Sequence, residues 1–401
     1  MKFIKCKLSE LGEIVGGSTP FTKNESYYGG DIPWLTPKDL ANFNGRYINF
    51  GERNITEAGY KSTSVKMLPI NSVLFSSRAP IGYVAINNKN EVCTNQGFKS
   101  VIPNLKTDYM FLYYLLKYNK NKIEAMGSGT TFKEVSGTVM KNIIVNVPEA
   151  KEDQIKIGKI LSKIDDKIEL NTHTNDNLYE ITNKLYEQLF VIERQDDWKE
   201  YNLQELMDIS NGYSYTGKEL VDTSVVGMAT IKNFERTGGF KEEGFKDIEP
   251  IKAKDTHYAD KFDILVACTD LTQNADIIGN AIMLLNIGKY EKVVISMDLV
   301  KILPKKNKYL VFSILNSKEF KNFALRYKTG TTVLHLNKNC FKDFHIKLPD
   351  FDKIENFEKV VETNYKKISY NLEENNTLTQ LRDSLLPKLM SGEIELDKIE
   401  I

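Results

Sequence analysis

The segment Gly212-Tyr213-Ser214-Tyr215-Thr216-Gly217-Lys218 has the glycine and lysine spacing that cradles nucleotide phosphates in a P-loop. The next residue is Glu219, where a Ser or Thr hydroxyl must hold magnesium, and a carboxylate there repels phosphate. What precedes the segment reads as helical, whereas a P-loop follows a strand. Nucleotide binding is therefore not expected. Gly127-Ser128-Gly129-Thr130-Thr131-Phe132 opens like a dinucleotide fingerprint, but it lacks the third glycine and follows a helical stretch. It reads as a tight turn. The Asn/Asp-Pro-Pro-Tyr/Phe segment of amino-methyltransferases is absent, and Pro349-Asp350 is not followed by the Glu-x-Lys of a nuclease. Cys6, Cys93, Cys268 and Cys340 stand far apart, the four histidines are scattered, and neither set has zinc-ligand spacing. The chain reads as catalytically empty, with no metal or cofactor of its own.

The elements that carry these segments form more than one domain, since 401 residues exceed the usual size of a single core. Lys and Arg total 54, as do Asp and Glu, so a polyanion partner requires basic charge concentrated in patches. The first residues, Met1-Lys2-Phe3-Ile4-Lys5-Cys6-Lys7, lack an apolar signal core, and the longest apolar stretch, near Ile277 to Ile287, is too short to span a bilayer. A cytoplasmic protein with reduced thiols and no membrane partner is expected.

An internal repeat organises the rest. Gly129-Thr130-Thr131 recurs as Gly330-Thr331-Thr332, and each leads through a similar pattern to a proline, Pro148 or Pro349, at the same offset of 201 residues. Leu8-Ser9-Glu10-Leu11 recurs as Leu203-Gln204-Glu205-Leu206. Trp34-Leu35-Thr36-Pro37-Lys38-Asp39-Leu40 aligns with Met228-Ala229-Thr230-Ile231-Lys232-Asn233-Phe234, and Val73 to Arg78 with Ile264 to Thr269. Helical stretches from Tyr109 to Ala125 and from Tyr309 to Tyr327 precede the Gly-Thr-Thr turns. The halves differ at most other positions, the pattern of one fold adapted to two ligands.

After each proline comes a long stretch almost free of glycine, with apolar positions at alternating spacings of four and three. The first seam is Ile157, Leu161, Ile164, Ile168, Asn171, Asn175, Leu178, Thr182, Leu185, Leu189. Two hundred residues on stand Phe357, Val361, Asn364, Ile368, Asn371, Asn375, Leu378, Arg382, Leu385, Leu389. The shared register predicts that the two helices pair with each other. Asn171, Asn175, Asn371 and Asn375 would fix that register, because a buried amide must meet a partner amide. About 40 residues of helix reach roughly 60 Å, the length of a spacer or ruler.

Duplicated halves, a Gly-Thr-Thr turn leading to a proline, and a long helix after each together resemble the specificity (S) subunits of type I restriction-modification enzymes. Leu385-Leu386-Pro387-Lys388-Leu389-Met390-Ser391-Gly392-Glu393-Ile394 is similar to the terminal signature of that family, and Ser77-Arg78-Ala79-Pro80-Ile81-Gly82 to a segment of its recognition domains. The resemblance spans essentially the whole chain. It departs at Ala267-Cys268-Thr269-Asp270, where an insertion-like stretch replaces the Ser77-Arg78-Ala79-Pro80 pattern.

The resemblance implies an α+β fold with two target-recognition domains in tandem, residues 1–150 and 194–350. Helical spacers at 151–193 and 351–401 would pair as an antiparallel coiled coil. It implies that each domain reads half of a split site in double-stranded DNA. It further implies two methyltransferase (M) subunits that use S-adenosylmethionine, and restriction (R) subunits that use ATP and Mg. This chain would bind none of those cofactors. A reader domain needs cations for phosphates and Arg, Lys, Ser or Thr for base edges. The candidates are Lys38, Arg78, Thr130, Thr131 and Lys133 in the first half, and Lys232, Lys328, Thr331 and Thr332 in the second. The competing readings are a protein-only coiled-coil scaffold and the specificity module of a fused methyltransferase. The first gains nothing from two divergent surfaces, and the second needs a cofactor domain for which no room remains.

If the helices are a ruler, inserting four residues near Asn175 lengthens one of them by ~6 Å, close to two base-pair steps, and keeps the apolar face aligned. The gap between half-sites should then move by about one or two base pairs, whereas a two-residue insertion should turn the face away and abolish assembly. Methylome sequencing of cells carrying each variant measures both outcomes.

Overall fold

A computed structural model describes the chain from Met1 to Leu396, apart from Asn42, Asn44, Thr130, Thr131, Phe132, Thr237 and Gln273. It falls into two compact units, one of Met1–Glu169 with the chain from Thr377 onward, the other of Leu170–Asn376.

In the first unit, Val73–Ser77 is buried on both faces, which suits its run of apolar and small residues to the centre of a sheet. Antiparallel neighbours extend it in the order Gly12–Gly16, Lys99–Pro103, Val73–Ser77, Ile81–Ile86. Phe3–Lys7 pairs antiparallel with Ile144–Pro148, so the repeat's terminal proline closes a ladder with the start of the chain. A third sheet has the order Arg53–Ile55, Tyr28–Leu35, Cys93–Thr94. Helix Tyr109–Tyr118 buries six successive residues, Phe111 to Leu116, and is capped by Asp108, whose carboxylate accepts from the Phe111 N–H at 2.8 Å.

The second unit repeats this plan. Lys199–Asn202 pairs with His345–Leu348, and the central sheet runs Met207–Asn211, Leu299–Pro304, Ile264–Ala267, Ala281–Met283. Val226–Ala229 occupies the place of Tyr28–Leu35, and helix Lys308–Asn316 that of Tyr109–Tyr118. The second unit adds a small sheet of Thr269–Asp270, Leu334–Leu336 and Lys328–Thr329.

The two long helices run Lys151–Tyr186, extended by a π-helical stretch Glu187–Ile192, and Phe351–Ser391, with Pro387 in its last turns. Within the second unit they are antiparallel. Asn171 Nδ2 donates to Asn375 Oδ1 at 2.9 Å, Asn371 Nδ2 to Asn175 Oδ1 at 2.7 Å, and Asn364 Nδ2 to Thr182 Oγ1 at 3.1 Å. Numbers rise along one helix as they fall along the other. Within the first unit, Arg382 donates to Asp165 at 2.8 Å, so this seam position carries a charge pair in place of an apolar contact.

Each core is completed by the end of the helix that reaches it. Tyr186 and Phe190 are buried in the second unit, and Leu389, Met390 and Leu396 in the first. Gly392 has φ +80°, and a Cβ there would lie 2.6 Å from the Phe3 ring, so glycine lets the chain close over the first strand. Leu389→Ala should therefore destabilise the first unit by about 2–5 kcal/mol, the usual cost of emptying a fully buried leucine site. Urea denaturation of the full chain checks this, with loss confined to one of two transitions where the units melt separately.

Candidate nucleic-acid interface

The buried strand Val73–Ser77 leaves the first core at Arg78-Ala79-Pro80 and returns as Ile81–Ile86. The chain around the first Gly-Thr-Thr turn folds onto this corner. Ser128 and Glu134 exchange backbone hydrogen bonds at 3.0 and 2.9 Å, and the Val135 N–H donates to the Ser77 carbonyl at 3.0 Å. Arg78 lies 3.6 Å and Lys99 3.2 Å from the Glu134 carboxylate. Lys120 lays its stem over Gly82 and Lys133 approaches Gly127. Three cations thus face outward on one corner, and the largely buried Lys99, bonded also to Ser77 Oγ and the Gln96 carbonyl, shares with Arg78 the one carboxylate that pairs there. Such a surface favours phosphate.

Lys38 is exposed in the turn Pro37–Leu40, where the Asp39 carboxylate accepts from the Thr36 N–H at 2.6 Å. Its ammonium pairs with Glu52 at 2.6 Å. Pro37 packs on Gly97, whose carbonyl accepts from the Ser77 N–H at 2.7 Å, so the turn and the Arg78 corner are contiguous. Thr130 and Thr131 lie outside the described residues.

The corresponding surface of the second unit is built differently. Gly330, at φ +98°, turns the hairpin between Lys328–Thr329 and Leu334–Leu336, and a Cβ there would meet the Val333 carbonyl oxygen at 2.2 Å. Lys328, Thr331 and Thr332 are exposed around this tip. Lys232 is exposed in the turn Ile231–Asn233 and lines a cleft with Arg236 and Lys241 and with the acids Glu235, Glu243 and Asp270, Lys241 lying 3.8 Å from Glu235. Asp270 anchors the stretch that replaces the Arg78 corner. Its carboxylate accepts from the N–H groups of Ile277 at 2.7 Å and Thr272 at 2.8 Å. Burial raises the Asp270 pKa, but those N–H groups and the Thr272 hydroxyl outweigh it and hold the acid below the usual range.

Lys99, Lys120, Arg236 and Lys241 were not among the residues expected from sequence. Arg236 and Lys241 flank the Gly238-Gly239 loop just after the aligned Lys232 segment, a signal that could have marked them. Nothing local in the sequence distinguishes Lys99 or Lys120 from other lysines.

The P-loop-like segment resolves otherwise. A strand, Met207–Asn211, precedes it, correcting the helical reading, because that strand finds its partner in Leu299–Pro304 far along the chain. Only the three-residue turn Gly217–Glu219 follows, so no helix N-terminus faces a phosphate. Gly212 is needed because a Cβ would collide with the Ser296 carbonyl. Glu219 accepts from the N–H groups of Ile251 at 2.9 Å and Thr216 at 2.6 Å, and from the Tyr213 hydroxyl. The Ile251 N–H, the Tyr213 hydroxyl and the Thr216 N–H lower its pKa to about 2.

Burial pushes the thiols of Cys93, Cys268 and Cys340 up to about 12, which leaves them protonated and unreactive at neutral pH. Among the described residues, no group of three or more His, Cys, Asp or Glu is placed to hold a metal, and no helix is long and apolar enough to cross a membrane.

Fold and surface define a class: a duplicated α+β chain whose matched halves carry unlike charged surfaces and are completed by long paired helices. Residues 2–180 and 195–380 each match the type I restriction modification DNA specificity domain, and the chain belongs to that family. It is 30% identical over 416 residues to the type I restriction enzyme MjaIX specificity subunit of Methanocaldococcus jannaschii, covering 98% of this chain and 94% of that one. It is 30% identical over 185 residues to the HindI specificity subunit of Haemophilus influenzae, covering 45% of this chain and 39% of that one. The crystal structure of the type I restriction-modification system S subunit from M. genitalium is similar in fold, with a TM-score of 0.59 at 17% identity over 97% of this chain and 96% of that one.

Glu219 yields a pH test. A carboxyl with its pKa lowered from 4.5 to about 2 stabilises the fold fully above its ordinary range, and that contribution is lost as pH falls through that window. Glu219→Gln should lower stability at neutral pH and flatten the acid-induced loss between about 4.5 and about 2. Urea midpoints measured across that range for both proteins give the comparison.

Proposed function

We propose that this chain is the non-catalytic, sequence-reading subunit of a type I restriction-modification complex. Residues 1–150 and 194–350 are its target-recognition domains, and 151–193 and 351–401 its helical spacers. The observation that carries the reading is the presence of two family-matched modules in one chain whose corresponding surfaces differ, a cation-rich corner at Arg78 in the first and a mixed-charge cleft at Lys232 in the second. Each domain reads one half of a split site in double-stranded DNA, and the paired helices set the gap. Arg78, Lys120 and Lys133 neutralise phosphates and reach base edges in the first half-site, with Lys38, Thr130 and Thr131 as further contacts and the largely buried Lys99 neutralising Glu134 behind them. Lys232, Lys328, Thr331 and Thr332, with Arg236 and Lys241, do so in the second.

Two M subunits dock on this scaffold and supply adenine-N6 methylation from S-adenosylmethionine. R subunits supply ATP- and Mg-dependent translocation and cleavage. The complex works in the cytoplasm, where its DNA lies. The reactions belong to those partners; this chain contributes the address.

The purified chain should methylate nothing alone and should direct adenine methylation at split sites once its M subunit is added. Arg78→Ala should weaken DNA binding by about 1–3 kcal/mol while leaving thermal stability nearly unchanged. Methylation by the isolated chain, or an unaltered affinity and methylome in the variant, would contradict these assignments.

A further inference from the structure

Arg46 is buried, with its guanidinium 5.6 Å from the centre of the Tyr47 ring, and its side-chain hydrogen bonds run to the first long helix. Its Nε donates to Glu169 Oε1 at 3.0 Å and its Nη2 to Glu169 Oε2 at 3.1 Å. Nη2 also pairs with Asp166, Nη1 reaches the Ser162 carbonyl at 3.4 Å, and the Arg46 backbone N–H donates to Glu169 Oε1 at 3.2 Å. Ser162, Asp166 and Glu169 lie on one helix face by their spacing. The Arg46 backbone joins the sheet. Its carbonyl accepts from the Ile86 N–H at 2.8 Å, and the Ile48 N–H donates to the Ile86 carbonyl at 2.9 Å. Ile86 ends the strand Ile81–Ile86, whose other end is the Arg78 corner. A continuous rigid path thus joins the helix to the basic corner.

The second unit makes the same junction without an arginine. Ser369 Oγ donates to the Leu285 carbonyl at 2.6 Å. Leu285 lies just past Ala281–Met283, the strand that pairs with Ile264–Ala267 as Ile81–Ile86 pairs with Val73–Ser77. Ser369 stands 200 residues after Glu169, the offset that relates the two helix seams. Around it, Glu242 accepts from Asn376 at 2.8 Å and from Asn286 at 2.9 Å, and Lys261 pairs with Glu373 at 2.6 Å. Two chemistries serve one position of the repeat.

The apolar anchors Ile157 and Leu161, and Phe357 and Val361, hold the start of each helix in its unit's core. The contact continues along each helix, through Asp165, which accepts from the Tyr114 hydroxyl at 2.6 Å, and through Tyr365 and Ile368, both buried in the second unit's core. Glu169 lies eight residues beyond Leu161, about 12 Å along the helix, and with Ser369 marks the far end of these contacts, where a polar bond to a strand end has the longest lever on the helix direction. The bidentate guanidinium–carboxylate fork also fixes angle as well as distance.

Resting on the function proposed above, we infer that positions 169 and 369 are the aiming points of the two helices. Arg46, Glu169 and Ser369 are positioning residues: they touch no base, yet they set the angle at which each domain meets its half-site, and so the stringency of the gap.

The test uses the complex of the full chain with its M subunits and duplexes carrying both half-sites at the natural gap or one base pair shorter or longer. Glu169→Gln, Arg46→Met and Ser369→Ala should each lose discrimination between these gaps, by on the order of 10-fold to 100-fold, the scale at which misplacements of about 1 Å are felt in catalysis. Half-site sequences should stay unchanged. Arg46→Lys keeps the charge without the fork and should behave like Arg46→Met. Should the Arg46 variants misfold, Ser369→Ala decides, since it deletes one hydrogen bond. Gap discrimination unchanged in folded Glu169→Gln and Ser369→Ala complexes overturns the inference, as does an altered half-site sequence. A wild-type complex that ignores split sites would instead overturn the proposed function.

Discussion

A carboxamide buried in a helix seam must meet another polar group, because leaving one unpaired costs about 1–3 kcal/mol. In one alignment Asn171 donates to Asn375 and to Glu374, and Asn371 to Asn175, so each of the four side chains meets a polar partner, while the buried Asn371 Oδ1 itself accepts nothing. Sliding either helix by a turn would set amides against aliphatic neighbours such as Leu178 or Ile368 and strand several at once. Leucine at these sites would bury more apolar area but would tolerate several alignments. Everything that hangs on the helices is counted from this register.

The repeat conserves position more than chemistry. Asp165 in the first helix accepts from the Tyr114 hydroxyl at 2.6 Å and from Arg382 at 2.8 Å. At the matching place in the second helix stands Tyr365, stacked on Tyr309 and edge-on to Tyr179 and Phe312. A buried ion pair adds little net stability, but removing one partner leaves the other charge exposed to a low dielectric. The aromatic cluster has no such liability. The modules are alike in topology, yet their helix-facing residues are not exchangeable one at a time.

Charge follows the same logic. With equal numbers of acids and bases, the chain has no long-range pull on a polyanion, so attraction must be local. Acids are spent inside the fold, with Glu219 and Asp270 tying loops, Asp166 and Glu169 holding Arg46, and Asp165 holding Arg382. This leaves the corner near Arg78 with more cations than carboxylates.

The duplication, the long helices, their seam and the position of the amides were legible in the sequence, because each is a period or an offset written along the chain. The failure of the P-loop pattern at Glu219 was legible too, since it turns on one residue type. What tertiary structure alone decided are meetings between distant residues. Arg46 and Glu169 are separated by 123 positions, and nothing near Arg46 announces a buried clamp in place of a surface cation. Met207–Asn211 became a strand through its pairing with Leu299–Pro304, against its local helical look. The gathering of Lys99 and Lys120 around Arg78, and the return of the C-terminal segment to the first core, likewise have no local sign. Periodicity records which face of an element is buried, but a lysine or arginine reads the same in sequence whatever it meets across the fold.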